Sequence, residues 1–163
     1  MKIKIFVAFF VLFALGKVSL AGGFKQEFDR QAFYNVLKGG SIDDIDKELL
    51  VIDASSIAEK DAYKGTLLMK KAGLVKRPKD KLGFFKEGRI KLETELYNNS
   101  TNTEYHFLRL IIQEHAPKIT KYRAQLEDDA EYIRKNYKNL SSVVQHVVTD
   151  YSKTSKILHA TDF

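Results

Sequence analysis

Apolar residues recur along this chain mostly at steps of three and four, while long alternating runs bounded by turn pairs such as Asn-Gly are missing. Read on that period, residues 28–38 form a first helix with Phe33, Val36 and Leu37 on one side, stopped by Gly39-Gly40. Ser41 and Asp44 make a near-capping box for a second helix, whose stripe is Ile42, Ile45, Leu49 and Ile52. The tight Gly-Gly link makes these two an antiparallel hairpin. Residues 56–72 carry Ala58, Ala62, Gly65 and Met69 on one face, small enough for close approach of a neighbour, and Gly73 ends that helix. Pro78 suits the first turn of a fourth helix with Leu82, Phe85, Leu92 and Leu96 inside and Arg89 on the same stripe.

Asn98-Asn99-Ser100 is a polar turn, after which Thr101 and Glu104 form a capping box for a fifth helix. Tyr105, Phe107, Leu108, Leu110, Ile111 and Ile112 surround most of that helix, which marks it as the central buried one. Ala116-Pro117 breaks it. A sixth helix over 117–136 is patterned by Ile119, Tyr122, Leu126 and Ile133. Ser141 or Ser142 caps a seventh, with Val144, Val147, Val148, Tyr151 and Leu158 inside. The expected fold is all-α, about seven short helices packed as antiparallel hairpins. No Gly/Ser/Pro-rich linker divides residues 28–163, so they read as a single domain.

The first 21 residues break the helical pattern and change the picture. Lys2 and Lys4 precede an uninterrupted apolar run over 5–15, and Ser19-Leu20-Ala21 supplies small residues at the positions a signal peptidase reads. That order is a secretory signal, and an 11-residue run is far short of the ~20 needed to span a bilayer. Residues 1–21 are thus expected to be removed, leaving a flexible tail at 22–27 and a soluble product, periplasmic or secreted, with no stable membrane anchor. The segment carries Lys2, Lys4 and Lys17 and no acid, so the formal charge of +6 falls to about +3 without it. Much of the basic character therefore belongs to the leader. The one remaining basic concentration, residues 70–81, has six Lys or Arg against Asp80 and reads as a solvated loop and helix start. Nucleic acid is not an expected partner, because no clustered basic face with a stacking platform is apparent. The chain has no cysteine, which excludes disulfides, thiol chemistry and lipidation of an N-terminal cysteine.

Candidate chemistry is sparse. The four histidines, His106, His115, His146 and His159, show no metal-ligand spacing, and neither a nucleophile elbow nor a phosphate-binding glycine loop is present. No cofactor or metal is expected. The sharpest polar feature is on the fifth helix, where Asn102, His106, Arg109 and Gln113 share one face. Arg109, set among leucines and isoleucines, must either pair with an acid such as Asp128, Asp129, Glu131, Glu93 or Glu95, or line a groove. In the second case His106, Arg109 and Gln113 form a small site for an anion or peptide carboxylate. Tyr105, Tyr122, Tyr132, Tyr137 and Tyr151 are expected at the core edge with their hydroxyls in water.

Two stretches, residues 65–73 (GTLLMKKAG) and 107–117 (FLRLIIQEHAP), together with SKTSKI at 152–157 and the closing Asp162-Phe163, resemble an uncharacterised family of small exported helical proteins from bacteria. The resemblance implies an exported helical domain and no catalytic residue. Residues 92–104 are also similar to the junction of two tetratricopeptide-type hairpins, although Glu95 and Ser100 stand where that repeat wants a small residue and a proline. The leading expectation is a non-catalytic binding or scaffold protein of the bacterial cell envelope, using an inter-helix groove for protein or peptide partners. The alternatives are an exported hydrolase with an unrecognised cleft built on an acid such as Glu114 and a histidine, and a carrier of lipid or another small molecule.

Overall fold

The computed structural model describes residues 27–163. The expected leader at 1–21, and all of the expected tail except Glu27, lie outside the described residues. Among the described residues the chain is all-α, with no strand. The helices are α1 (Arg30–Gly39), α2 (Ile42–Ala54), α3 (Lys60–Leu74), α4 (Pro78–Asn98), α5 (Thr103–His115), α6 (Leu126–Asn136) and α7 (Ser142–Ser152). Short 3₁₀ turns stand at Lys118–Thr120, Tyr137–Asn139 and Ala160–Asp162.

Local chemistry explains most helix starts. Asp29 caps α1 by accepting from the amides of Gln31 and Ala32, and Ser41 with Asp44 closes a full capping box on α2. Such caps each contribute about 1 kcal/mol. Gly40 ends α1 in an extended conformation. Its role is space, since a Cβ there would lie 2.7 Å from the Val36 carbonyl oxygen. The most extensive helix pair is α3 with α4, which cross where two glycines meet. A Cβ on Gly65 would stand 2.6 Å from the Gly88 carbonyl oxygen and 2.9 Å from the Leu92 amide nitrogen. The backbones therefore touch at a distance that any side chain would prevent.

One hydrophobic cluster runs from Phe33 on α1 to Leu158 beyond α7. The α5 side chains Phe107, Leu108 and Leu110 are fully buried within it, and this helix packs on α3, α4 and α6.

Several expectations fail for identifiable reasons. Helix α5 is capped by Asn102, not Thr101, because the Asn102 side chain accepts from the amides of Glu104 and Tyr105. Helix α3 begins at Lys60 rather than at 56 and runs through Gly73, which therefore does not end it. The expected sixth helix over 117–136 is interrupted. Lys121 takes a left-handed conformation with φ 50, and α6 starts only at Leu126. Leu82 and Ile119, expected inside, are 70% and 90% exposed. Leu158 is buried, but beyond the end of α7.

Candidate functional site

The polar face of α5 is closed by its own neighbours. Arg109 donates from Nε to Asp129 Oδ2 at 2.7 Å, from Nη2 to Asp129 Oδ1 at 2.7 Å, and from Nη1 to Glu93 Oε2 at 2.9 Å. Asp129, in the first turn of α6, is fully buried, so this is a two-pronged pair in a low-dielectric setting. Burial works against the Arg109 charge, but Asp129 and Glu93 more than offset it and hold the guanidinium above its ordinary value. His106 Nδ1 lies 2.7 Å from Asp129 Oδ1, and its Nε2 lies 2.8 Å from the Ser100 carbonyl oxygen. Its ring stacks on Tyr132 at 4.2 Å. Gln113 is wholly buried and donates to Gln125 Oε1 at 3.1 Å, while its own Oε1 has no hydrogen-bond partner among the described residues. His106 and Arg109 thus converge on one carboxylate, Asp129, while Gln113 turns to Gln125. Arg109, the cation of this face, is spent within the chain.

Several tyrosine hydroxyls are also engaged within the chain, and for Tyr122, Tyr137 and Tyr151 this replaces the expected exposure to water. Tyr122 donates to Glu93 Oε1 at 2.6 Å, Tyr151 to Glu114 Oε2 at 2.7 Å, and Tyr132 to the Thr101 carbonyl oxygen at 3.3 Å. Tyr137 Oη lies 2.9 Å from Thr149 Oγ1. Tyr34 and Tyr63 both donate to Glu104 Oε1 at 2.9 Å, and Arg30 stands 3.4 Å from Glu104 Oε2. Burial raises Glu104 above the usual carboxylate range, opposed by Arg30 and the two hydroxyls. Glu104 therefore links α5 to α1 and α3 instead of closing its own capping box.

Glu114 is engaged as well. Burial pushes it up, but the Lys156 amide at 2.6 Å, the Ser155 hydroxyl at 2.7 Å and Tyr151 pull harder, and its carboxyl sits below its ordinary value. The adjacent His115 turns to the Ile111 carbonyl oxygen at 2.9 Å. Glu114, the acid expected in a Glu/His cleft, instead holds down the C-terminal segment. Among the described residues no group of three or more His, Asp or Glu is placed to hold a metal ion.

A different residue stands out. Glu48 on α2 is buried, and its Oε1 finds no hydrogen-bond partner among the described residues. It lines an open groove of about 510 Å³ between α1 and α2, whose walls include Asn35, Val36, Gly40, Asp44, Val51 and one cation, Lys47, which forms no ion pair with Glu48. Burial, then the nearby Asp29 charge, raises its carboxyl above the usual range. Sequence reasoning missed Glu48. The signal was in the spacing, because it stands three residues after Ile45 and four before Ile52, on the apolar stripe itself. An acid at a core position is costly without a cation.

Comparisons with protein-family models, curated proteins and solved structures returned no match to this chain.

Proposed function

We propose that this is a non-catalytic binding protein of the bacterial cell envelope, and that the groove between α1 and α2 receives a peptide or protein segment bearing a basic side chain. The observation that carries the reading is Glu48, a buried carboxylate whose Oε1 lacks a partner among the described residues, in a groove of ligand size. An incoming ammonium or guanidinium group supplies the charge that Glu48 lacks, and Val36 and Val51 offer apolar contact for the aliphatic stem. Helix α2 is acidic along its length. Its Asp46 is met by Lys71 and its Asp53 by Lys64, whereas Glu48 has no such cation. The envelope assignment rests on the basic, apolar, small-residue order of residues 1–21.

Display of random peptides against the purified protein tests this reading. Wild type is expected to enrich sequences with Lys or Arg flanked by apolar residues, and Glu48→Gln, which keeps the shape and removes the charge, is expected to lose that enrichment while melting at the same or a higher temperature. Equal enrichment by both proteins, or enrichment of acidic peptides, overturns it.

A further inference from the structure

A separate face of the molecule carries charge of the other sign. On α4, Lys79, Leu82, Lys86 and Ile90 recur at steps of three, four and four, so they share one side of the helix. That side points away from the core, because Leu82 is 70% and Ile90 57% exposed while Gly88, Leu92 and Leu96 are buried. The segment before α6 lies alongside it. Tyr122 from that segment packs edge-on against Phe85 at 5.6 Å, lies under the Arg89 guanidinium at 4.8 Å and donates to Glu93. Gln125 lines a shallow pocket with Lys86, Arg89 and Ile90, so Lys121 and Arg123, which flank Tyr122, lie close to that side of α4, and Lys118 and Ile119 precede them in the same segment, Ile119 being 90% exposed.

These two neighbouring stretches together carry six exposed cations, Lys79, Lys86, Arg89, Lys118, Lys121 and Arg123. Nearby Arg77, Lys91 and Arg109 are ion-paired, but none of these six is, among the described residues. Among the acids of these stretches, Glu93 is already taken by Arg109 and Tyr122, while Glu87 on α4 and Glu127 and Asp128 at the start of α6 are exposed, so the cations outnumber the free acids by two to one. Between the cations Leu82, Ile90 and Ile119 protrude singly.

We propose that this face docks reversibly on an anionic phospholipid surface, with the six cations at the headgroups and Leu82, Ile90 and Ile119 entering the interface. Charge complementarity selects an anionic occupant. The form of the apolar content selects lipid over protein. A protein interface core wants contiguous apolar area matched to a partner. Isolated aliphatic side chains set among lysines suit a fluid interface, which closes around each one while the lysine stems extend to the headgroups. The proposal stands independently of the groove at Glu48.

The test is co-sedimentation of the protein, as recovered from its expressing cells, with vesicles of phosphatidylcholine alone or mixed equally with phosphatidylglycerol. Binding is expected on the mixed vesicles only, falling tenfold or more when salt rises from about 0.05 to 0.5 M. Lys86→Glu combined with Lys121→Glu should lower the partition coefficient at least tenfold. Leu82→Ser combined with Ile119→Ser should lower it several-fold at unchanged charge. All four positions are exposed, so thermal melting should be unaltered, and comparison among variants cancels any contribution from residues outside 27–163. Equal binding by wild type and both double variants overturns the proposal, as does the absence of binding to anionic vesicles. Retention on duplex DNA or polyglutamate as strong as on vesicles, and equally insensitive to Leu82→Ser/Ile119→Ser, also overturns it by showing generic attraction to polyanions.

Discussion

Arg109 illustrates what a single cation in an apolar helix demands of the residues around it. The sequence of α5 alone offers two outcomes, a groove or an internal pair, and the choice between them lies in α4 and α6, which deliver Glu93 and Asp129. Removing one partner of a buried pair leaves the other charge uncompensated, at a cost of about 3–5 kcal/mol. Arg109→Ala should therefore lower the unfolding free energy by about that amount in urea titration, and Asp129→Ala should do likewise. A loss within about 0.5 kcal/mol, the range of ordinary surface substitutions, contradicts the internal pairing. Glu114 makes a pH prediction. Its folded carboxyl lies below the ordinary value of 4.5, because the Lys156 amide, Ser155 and Tyr151 outweigh burial. Its contribution to stability is present above that ordinary value and is lost as pH falls through the lower, folded one. Comparing Glu114→Gln with wild type should show a deficit that is full at neutral pH and shrinks below about pH 4. The missed identity of Glu48 is a residue-scale lesson too. A stripe read only for its apolar members passes over the acid standing among them.

Helices are where sequence reading succeeds when the determinants are local and fails when they are not. The stripe of α2 and its capping box were legible because Ser41, Asp44, Ile45 and Ile52 act within one helix. Thr101 and Glu104 matched the same template, but the Glu104 carboxylate is claimed by Tyr34, 70 positions away in sequence, and by Tyr63, 41 away. Leu82 and Ile119 obeyed the helical period yet face outward, since periodicity defines a face without supplying a neighbour for it. Small neighbours on its helix face mark Gly65 as a point of close approach from sequence, whereas its counterpart Gly88 becomes visible only once α3 and α4 are placed together. These glycines separate packing from propensity. Alanine at Gly88 brings a Cβ within 2.9 Å of the Met69 amide nitrogen, so Gly88→Ala should destabilise by about 1–3 kcal/mol despite its better helix propensity. Gly73, also helical, has open space around its Cβ position, and Gly73→Ala should stabilise by up to about 1 kcal/mol. Thermal melts of the two variants should move in opposite directions. A gain at both positions would contradict the α3–α4 crossing.

Across residues 27–163, the near balance of charge conceals a separation. Acids gather on α2, with Asp43, Asp44, Asp46, Glu48 and Asp53 against Lys47 alone, while α4 and the segment before α6 expose unpaired cations. The interior polar groups between them are largely matched internally, with Arg109, Glu104 and Glu114 each committed to tertiary contacts. The C-terminal segment is fastened in the same manner. Arg134 donates to the Ile157 carbonyl oxygen at 2.6 Å and to Asp162 at 2.9 Å, and Phe163 lies 4.6 Å from the Tyr137 ring. Against that background an unmatched buried acid is conspicuous, and the binding account rests on it. The most direct test is a titration of isotopically labelled protein with the tripeptide Val-Lys-Val, followed by the carboxyl carbon resonance of Glu48 and the amide resonances of Asn35 and Val51. The account predicts saturable shifts at all three positions in wild type, with those of the two amides abolished in Glu48→Gln. Unmoved resonances at these positions, or amide shifts of the same size in Glu48→Gln, would contradict it.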